Sequence, residues 1–128
     1  MYSSSGYGIP KTLTTITITG ESRIPNEAFY GMTSLKTINI PESVTAIGNH
    51  AFYNCTSLNA IKLPSKLTSI GTYSFYGCGL AAFNTSTIPA SVKTIGAYAF
   101  GNCLQLSSIT VPGTIESIGD KAFTGCKN

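Results

Sequence analysis

The chain has 128 residues, 42% of them hydrophobic and only 10% charged; that is room for one compact domain, not comfortably for two. An average soluble protein is roughly 25% charged, so the surface here falls to neutral polar groups, and 17 Thr and 15 Ser supply them. Eight Lys and Arg against five Asp and Glu leave a scattered +3, with no basic stripe to follow a phosphate backbone, which excludes nucleic acid as the expected partner.

In chain order, Met1 to Thr12 is a Ser-, Gly- and Tyr-rich segment expected to fold over the next element or to remain mobile. It has neither a basic nor an apolar signal region, and no run of 18 apolar residues follows, so neither a secretion signal nor a membrane span is expected in this chain. Leu13 to Ile18 reads as a strand. Leu35-Lys-Thr-Ile-Asn-Ile40 copies it, with Ile38 and Ile40 inward and Thr37 and Asn39 outward. Leu58 to Leu63 and Leu106 to Val111 are further copies, and the strands are expected to centre on residues 15 to 18, 37 to 40, 60 to 63, 81 to 84 and 108 to 111. A Pro at 41, 64, 89 and 112 removes a ladder donor and ends each strand. Val44, Leu67, Val92 or Ile115 follows, then an Ile-Gly pair whose Gly suits a bend. Ala51, Phe52 and Cys55 fall at helical spacing, enough for about one turn of helix or 3₁₀.

These pieces recur together. Ile47-Gly-Asn-His-Ala-Phe52 returns as Ile70-Gly-Thr-Tyr-Ser-Phe75, Ile95-Gly-Ala-Tyr-Ala-Phe100 and Ile118-Gly-Asp-Lys-Ala-Phe123, with a weaker first copy, Ile24-Pro-Asn-Glu-Ala-Phe29. The Phe column has intervals of 23, 23, 25 and 23, and Cys55, Cys78, Cys103 and Cys126 repeat the last three. The one irregularity lies in Ala82 to Pro89, where one residue is lost before Leu80 and three are gained after Phe83. No single coil can bury its apolar edge alone, so the coils must stack into a continuous core. The expected fold is an α/β-type solenoid of about five coils over residues 13 to 128. It is a right-handed horseshoe with a parallel sheet on the concave side and short helical turns on the other.

The motif Leu-x-x-Ile-x-Leu-Pro, then Leu-x-x-Ile-Gly-x-x-Ala/Ser-Phe-x-x-Cys, resembles the BspA-type leucine-rich repeat over residues 13 to 126. Commoner leucine-rich repeats carry an Asn column; here that column holds Ser43, Lys66, Ser91 and Thr114, so no asparagine ladder is expected there. The resemblance implies a secreted or cell-surface protein, often adhesin-like, whose repeats bind host or microbial proteins. It carries over no catalytic residues. A protein of a host or microbial surface or matrix is therefore the expected partner and a glycan the second choice; a structural spacer or self-associating segment is the alternative role.

Four cysteines raise zinc or disulfides, but each sits one coil from the next, a line of sulfurs rather than a converging tetrahedron. Coils about 5 Å apart satisfy the Cα window of a disulfide, yet parallel Cβ vectors leave more than the usual separation of roughly 3.8 Å. Free core thiols are the expectation, and Met32 occupies the same column. His50 shares its column with Glu27, Tyr73, Tyr98 and Lys121, a varied, solvent-facing set, and no catalytic motif is present. No enzyme activity, metal or cofactor is expected. Asn54-Cys-Thr56 and Asn84-Thr-Ser86 match the glycosylation sequon, as chance allows in so hydroxyl-rich a chain.

The outward strand positions form a neutral concave face whose candidate binding residues are Thr15, Thr17, Lys36, Thr37, Asn39, Asn59, Lys62, Asn84, Ser108 and Thr110. The face lacks the aromatic and Arg anchors that dominate protein hot spots. Tyr30, Tyr53 and Tyr76 in one column, with Tyr73 and Tyr98 in another, form the alternative aromatic edge. The last coil carries Ile118, Phe123 and Cys126 with no successor, so weak, concentration-dependent association through that end is a further expectation.

Overall fold

The structure, a computed structural model, describes residues 10–81, 88–107 and 109–126. Seven strands follow one another: β1 (Thr15–Thr17), β2 (Arg23–Ile24), β3 (Thr37–Asn39), β4 (Ala46–Ile47), β5 (Ser69–Ile70), β6 (Thr94–Ile95) and β7 (Ser117–Ile118). They form two parallel sheets, β1-β3 and β2-β4-β5-β6-β7. The long sheet is not the one expected. It runs through the Ile-Gly segment, where Ile24, Ile47, Ile70 and Ile95 point into the core and Ala46, Ser69 and Thr94 point out.

On the other side β1 and β3 pair in register, Thr15 with Thr37, Ile16 with Ile38 and Thr17 with Asn39. The ladder stops there. Residues 59–63 run without strand pairing, residues 82–84 and Ser108 lie outside the described residues, and Thr110 is an isolated bridge. A cleft of about 500 Å³, lined by Lys36 and Thr37 from one coil and Ser57, Asn59 and Ala60 from the next, parts the backbones at that point. On the following coil Leu80 adopts φ 51° and donates its N–H to the Leu58 carbonyl at 2.7 Å.

The Ile-Gly glycines are not bends. Their backbones have no positive φ, but a Cβ on Gly96 would lie 2.5 Å from the Thr72 nitrogen and one on Gly48 2.5 Å from that of Asn26. Close approach of successive coils is the reason for them. Each Gly N–H then donates back to an Ile carbonyl: Gly48 to Ile24 at 2.7 Å, Gly71 to Ile47 at 2.9 Å, Gly96 to Ile70 at 2.8 Å. The first coil has Pro25 in this column, which has no N–H, so the edge strand β2 offers nothing for a preceding strand at that position.

The expected helical turns are instead linked β-turns. Ala51 donates to Gly48, Tyr53 to His50 and Cys55 to Phe52, each three residues back, and residues with positive φ interrupt any helix. Two columns carry them: Glu27, His50, Tyr73, Tyr98 and Lys121, and Gly31, Asn54, Gly77, Asn102 and Gly125. The second uses the residue types that tolerate this conformation. N–H groups not closing a turn reach the next coil, His50 to Thr72, Phe52 to Ser74 and Asn54 to Tyr76, at 2.9, 2.7 and 2.7 Å. In the first described coil the Tyr30 carbonyl accepts from the Lys11 ammonium at 2.6 Å.

Phe29, Phe52, Phe75 and Phe100 stack inside and the half-buried Phe123 continues the column, with centroids 5.3, 5.1, 5.2 and 5.5 Å apart. Leu35, Leu58, Leu80 and Leu106 form a second buried column. The four cysteines are free, and each thiol donates to the Phe carbonyl of the preceding coil: Cys55 to Phe29, Cys78 to Phe52, Cys103 to Phe75 and Cys126 to Phe100, at 3.1–3.2 Å. Many hydroxyls are also structural. Ser43 donates to the Glu21 carbonyl, Ser91 to Leu67, Thr114 to Ala90 and Thr68 to Thr45. Ser43, Ser91 and Thr114 stand in the column where commoner leucine-rich repeats carry Asn, while a short asparagine ladder appears in another, Asn26 accepting from Asn49 N–H and Asn49 from Thr72 N–H.

Two substitutions test this packing. Ser74 stands in a column otherwise made of Ala28, Ala51, Ala99 and Ala122, and its buried hydroxyl has no partner. Ser74→Ala is expected to raise unfolding stability by ~1 kcal/mol. Gly96→Ala must push a backbone aside and is expected to lower it by about 1–3 kcal/mol. Urea unfolding curves of both variants measure the two shifts.

Candidate binding surfaces

The strand-face candidates among the described residues are exposed, and the structure divides them. Thr15, Thr17, Thr37 and Asn39 lie together on β1 and β3, where Asn39 Nδ2 donates to Thr17 Oγ1 at 3.1 Å. Lys36, Thr37 and Asn59 line the cleft between coils, and Lys62 is exposed on the unpaired segment beyond it. Thr110 is exposed on the isolated bridge; Asn84 and Ser108 lie outside the described residues. The ten residues therefore do not share one continuous sheet.

The turn face is continuous. Tyr30, Tyr53 and Tyr76 stack at 4.9 and 5.2 Å, with ring planes within 10°. His50, Tyr73 and Tyr98 stack beside them at 5.1 and 4.7 Å, within 9°. The columns interlock, with centroids 5.2–6.3 Å apart across them and planes tilted by 38–62°. His50 is thus the sixth ring of an aromatic plate; its column also holds Glu27 and Lys121 and reads from the sequence only as solvent-facing. Its neighbours are phenol rings, a setting for contact rather than proton transfer. Packing of the rings desolvates Tyr53 and raises its phenol pKa, with Tyr30, Tyr76 and Tyr73 adding to the effect, so at neutral pH this hydroxyl is a donor.

A third surface follows the long sheet, a groove of about 600 Å³ running from Arg23 past Ser69 and Thr94 to Ser117, with the Ile-Gly glycines in its floor. Sequence reasoning missed it because the segment reads as two residues of strand per coil, too short for a periodic signal. Beyond the faces, Glu42 accepts from the backbone N–H and hydroxyl of Ser65 on the next coil, which holds its carboxylate pKa below the ordinary range. Ile118 on β7 is 46% exposed. Among the described residues no three His, Cys, Asp or Glu side chains gather as a metal site would require.

The thiols differ along their column. Burial drives the Cys78 pKa well up; Cys103 is driven up by the neighbouring Cys126 and then by burial. The half-buried Cys126 is lowered to about 7 by the adjacent Cys103 thiol.

The sequence profile of the BspA type leucine rich repeat region matches six copies over residues 22–128. Among solved structures, the chain is similar to a leucine-rich repeat protein from Bacteroides ovatus. Identity is 29% and TM-score 0.69, over 85% of this chain and 30% of that one. It is also similar to a leucine rich cell surface protein from Faecalibacterium prausnitzii, at 27% identity and TM-score 0.58, over 90% of this chain and 40% of that one. A T. pallidum leucine rich repeat protein, at 22% identity and TM-score 0.55 over 87% of this chain and 75% of that one, shares the fold. The chain spans less than half the length of the first two. No curated protein matches it. No helix among the described residues is long and apolar enough to cross a membrane.

The thiol column makes a direct prediction. In the folded chain a thiol reagent is expected to modify Cys126 first, leaving Cys55, Cys78 and Cys103 untouched until denaturant is added. Peptide mapping after timed labelling reads the order, and rapid native labelling of all four would contradict it.

Proposed function

The chain belongs to the BspA-type leucine-rich repeat family, and from that premise we propose that it is a non-catalytic binding and adhesion module of a secreted or cell-surface protein, with a protein as its partner. The observation that carries this reading is the aromatic plate. A solenoid repeats each side chain along its length, and columns that do not serve the core are free to present a surface. Here one such column places His50, Tyr73 and Tyr98 at φ 58–59°, where Gly would avoid a cost of order ~1 kcal/mol per residue.

Tyrosine gives large, rigid contact area at low entropic cost and is enriched at protein hot spots. The strand face, with Thr15, Thr17, Thr37 and Asn39, is the second candidate; it offers hydrogen bonds without an anchor. Similarity to a cell surface protein of F. prausnitzii supports the location.

The test is capture of purified extracellular matrix proteins and cell-surface glycans on the immobilised domain, beside a solenoid of unrelated sequence. At least one protein is expected to bind about tenfold more tightly than to the control, a difference of ~1.4 kcal/mol. If none is retained above the control, the spacer role replaces this reading.

A further inference from the structure

The plate also limits what can bind to it, and this step rests on the binding-module reading. Tyr53 is stacked on Tyr30 and Tyr76, and Tyr73 on His50 and Tyr98, so both faces of each ring are covered. Tyr76 has Tyr53 on one side, and a Cβ added at Gly101 would stand 2.9 Å from its ring carbon. Ligands that need an open ring face, such as sugars, nucleobases or cations, find little here. What the plate presents is ring edges and phenol hydroxyls. Tyr30 is exposed and Tyr53, Tyr73, Tyr76 and Tyr98 are half-buried, so with the faces of the inner rings covered it is their edges that reach solvent.

The edges repeat with the coil spacing. Two intervals come to about 10 Å in either column. An extended β-strand repeats its side chains every ~6.6–6.8 Å and matches neither one interval nor two. An α-helix has a pitch near ~5.4 Å, but its carbonyls are spent on its own N–H groups. A polyproline II segment turns once in three residues of ~3.1 Å, about 9.3 Å, and forms no internal hydrogen bonds, so its carbonyls stay open to donors. Charge agrees: the plate itself holds no acidic or basic chain except the imidazole, Glu27 and Lys121 standing at the two ends of its column. We infer that the tyrosine plate is a docking surface for an uncharged, proline-rich segment in the polyproline II conformation. Since the two ring columns pack directly on one another, its pyrrolidine rings would lie across the exposed ring edges and its carbonyls accept from the phenol hydroxyls, one turn of ligand for every two coils.

A synthetic proline decamer is the probe, with a Gly-Ser decamer and a neutral linear oligosaccharide as controls, read by calorimetry and by NMR of the tyrosine rings. The proline decamer is expected to bind saturably and shift the signals of Tyr53, Tyr73 and Tyr76. Tyr53→Phe and Tyr73→Phe keep the ring stacks and remove one donor each, and each is expected to weaken binding about three- to tenfold; Lys93→Gln leaves it unchanged. Equal binding of the Gly-Ser decamer, preference for the oligosaccharide, or indifference to both Phe substitutions overturns the assignment. A captured matrix protein whose affinity ignores the Phe variants would leave the module reading standing and remove this surface from it, whereas absence of any captured protein strikes the module reading itself.

Discussion

Successive coils must come close enough for their backbones to hydrogen-bond on two sides at once, and the rest of the molecule follows from that. On the sheet side the later coil donates to the earlier, as Gly71 does to Ile47; on the turn side the earlier donates to the later, as Phe52 does to Ser74. Both sets hold only if nothing stands between the backbones at Gly48, Gly71, Gly96 and Gly119, where a Cβ would meet the preceding coil at 2.3–2.6 Å. The Phe stack at 5.1–5.5 Å sets the same spacing from within. Glycine and phenylalanine thus act as one device, the first permitting the approach and the second filling the core at that distance.

Opposed donor directions give the stack two chemically different ends. At its start the sheet side would present an N–H and the turn side a carbonyl. In the first described coil Pro25 removes the first and Lys11 engages the second. Side chains extend the logic between coils: thiols, hydroxyls and two asparagines each reach to the neighbouring coil's backbone. The hydroxyls of Ser43, Thr45, Thr68, Ser91 and Thr114 are therefore committed to the ladder, which removes them from the polar groups left to meet a partner.

Where that commitment lapses, surface chemistry appears. The aromatic plate occupies positions whose backbones are already tied to adjacent coils, so its rings are held in register by the core spacing. A partner meets an ordered surface and need not supply the entropy of arranging six side chains. The strand face has the opposite character, since its ladder ends after β3 and its candidates divide around a cleft.

The columns were legible in the residues alone. Repetition of Ile-Gly-x-x-Ala-Phe-x-x-Cys every 23 residues determined the solenoid, the stacked phenylalanines and the line of thiols, because identical residues at a fixed period can be buried only by stacking. It also placed the tyrosines in two columns. Tertiary structure decided which part of the coil carries the long sheet, because two residues of strand per coil leave no periodicity to read and the requirement sits in the backbone distance at Gly96. It decided that the segment around Phe52 is linked β-turns, since helical spacing of Ala51, Phe52 and Cys55 says nothing of the left-handed backbone at His50 and Asn54. It also decided that His50 joins the tyrosines and that their ring faces are spent on one another, because neighbours across coils are set by the stacking distance and not by separation along the chain.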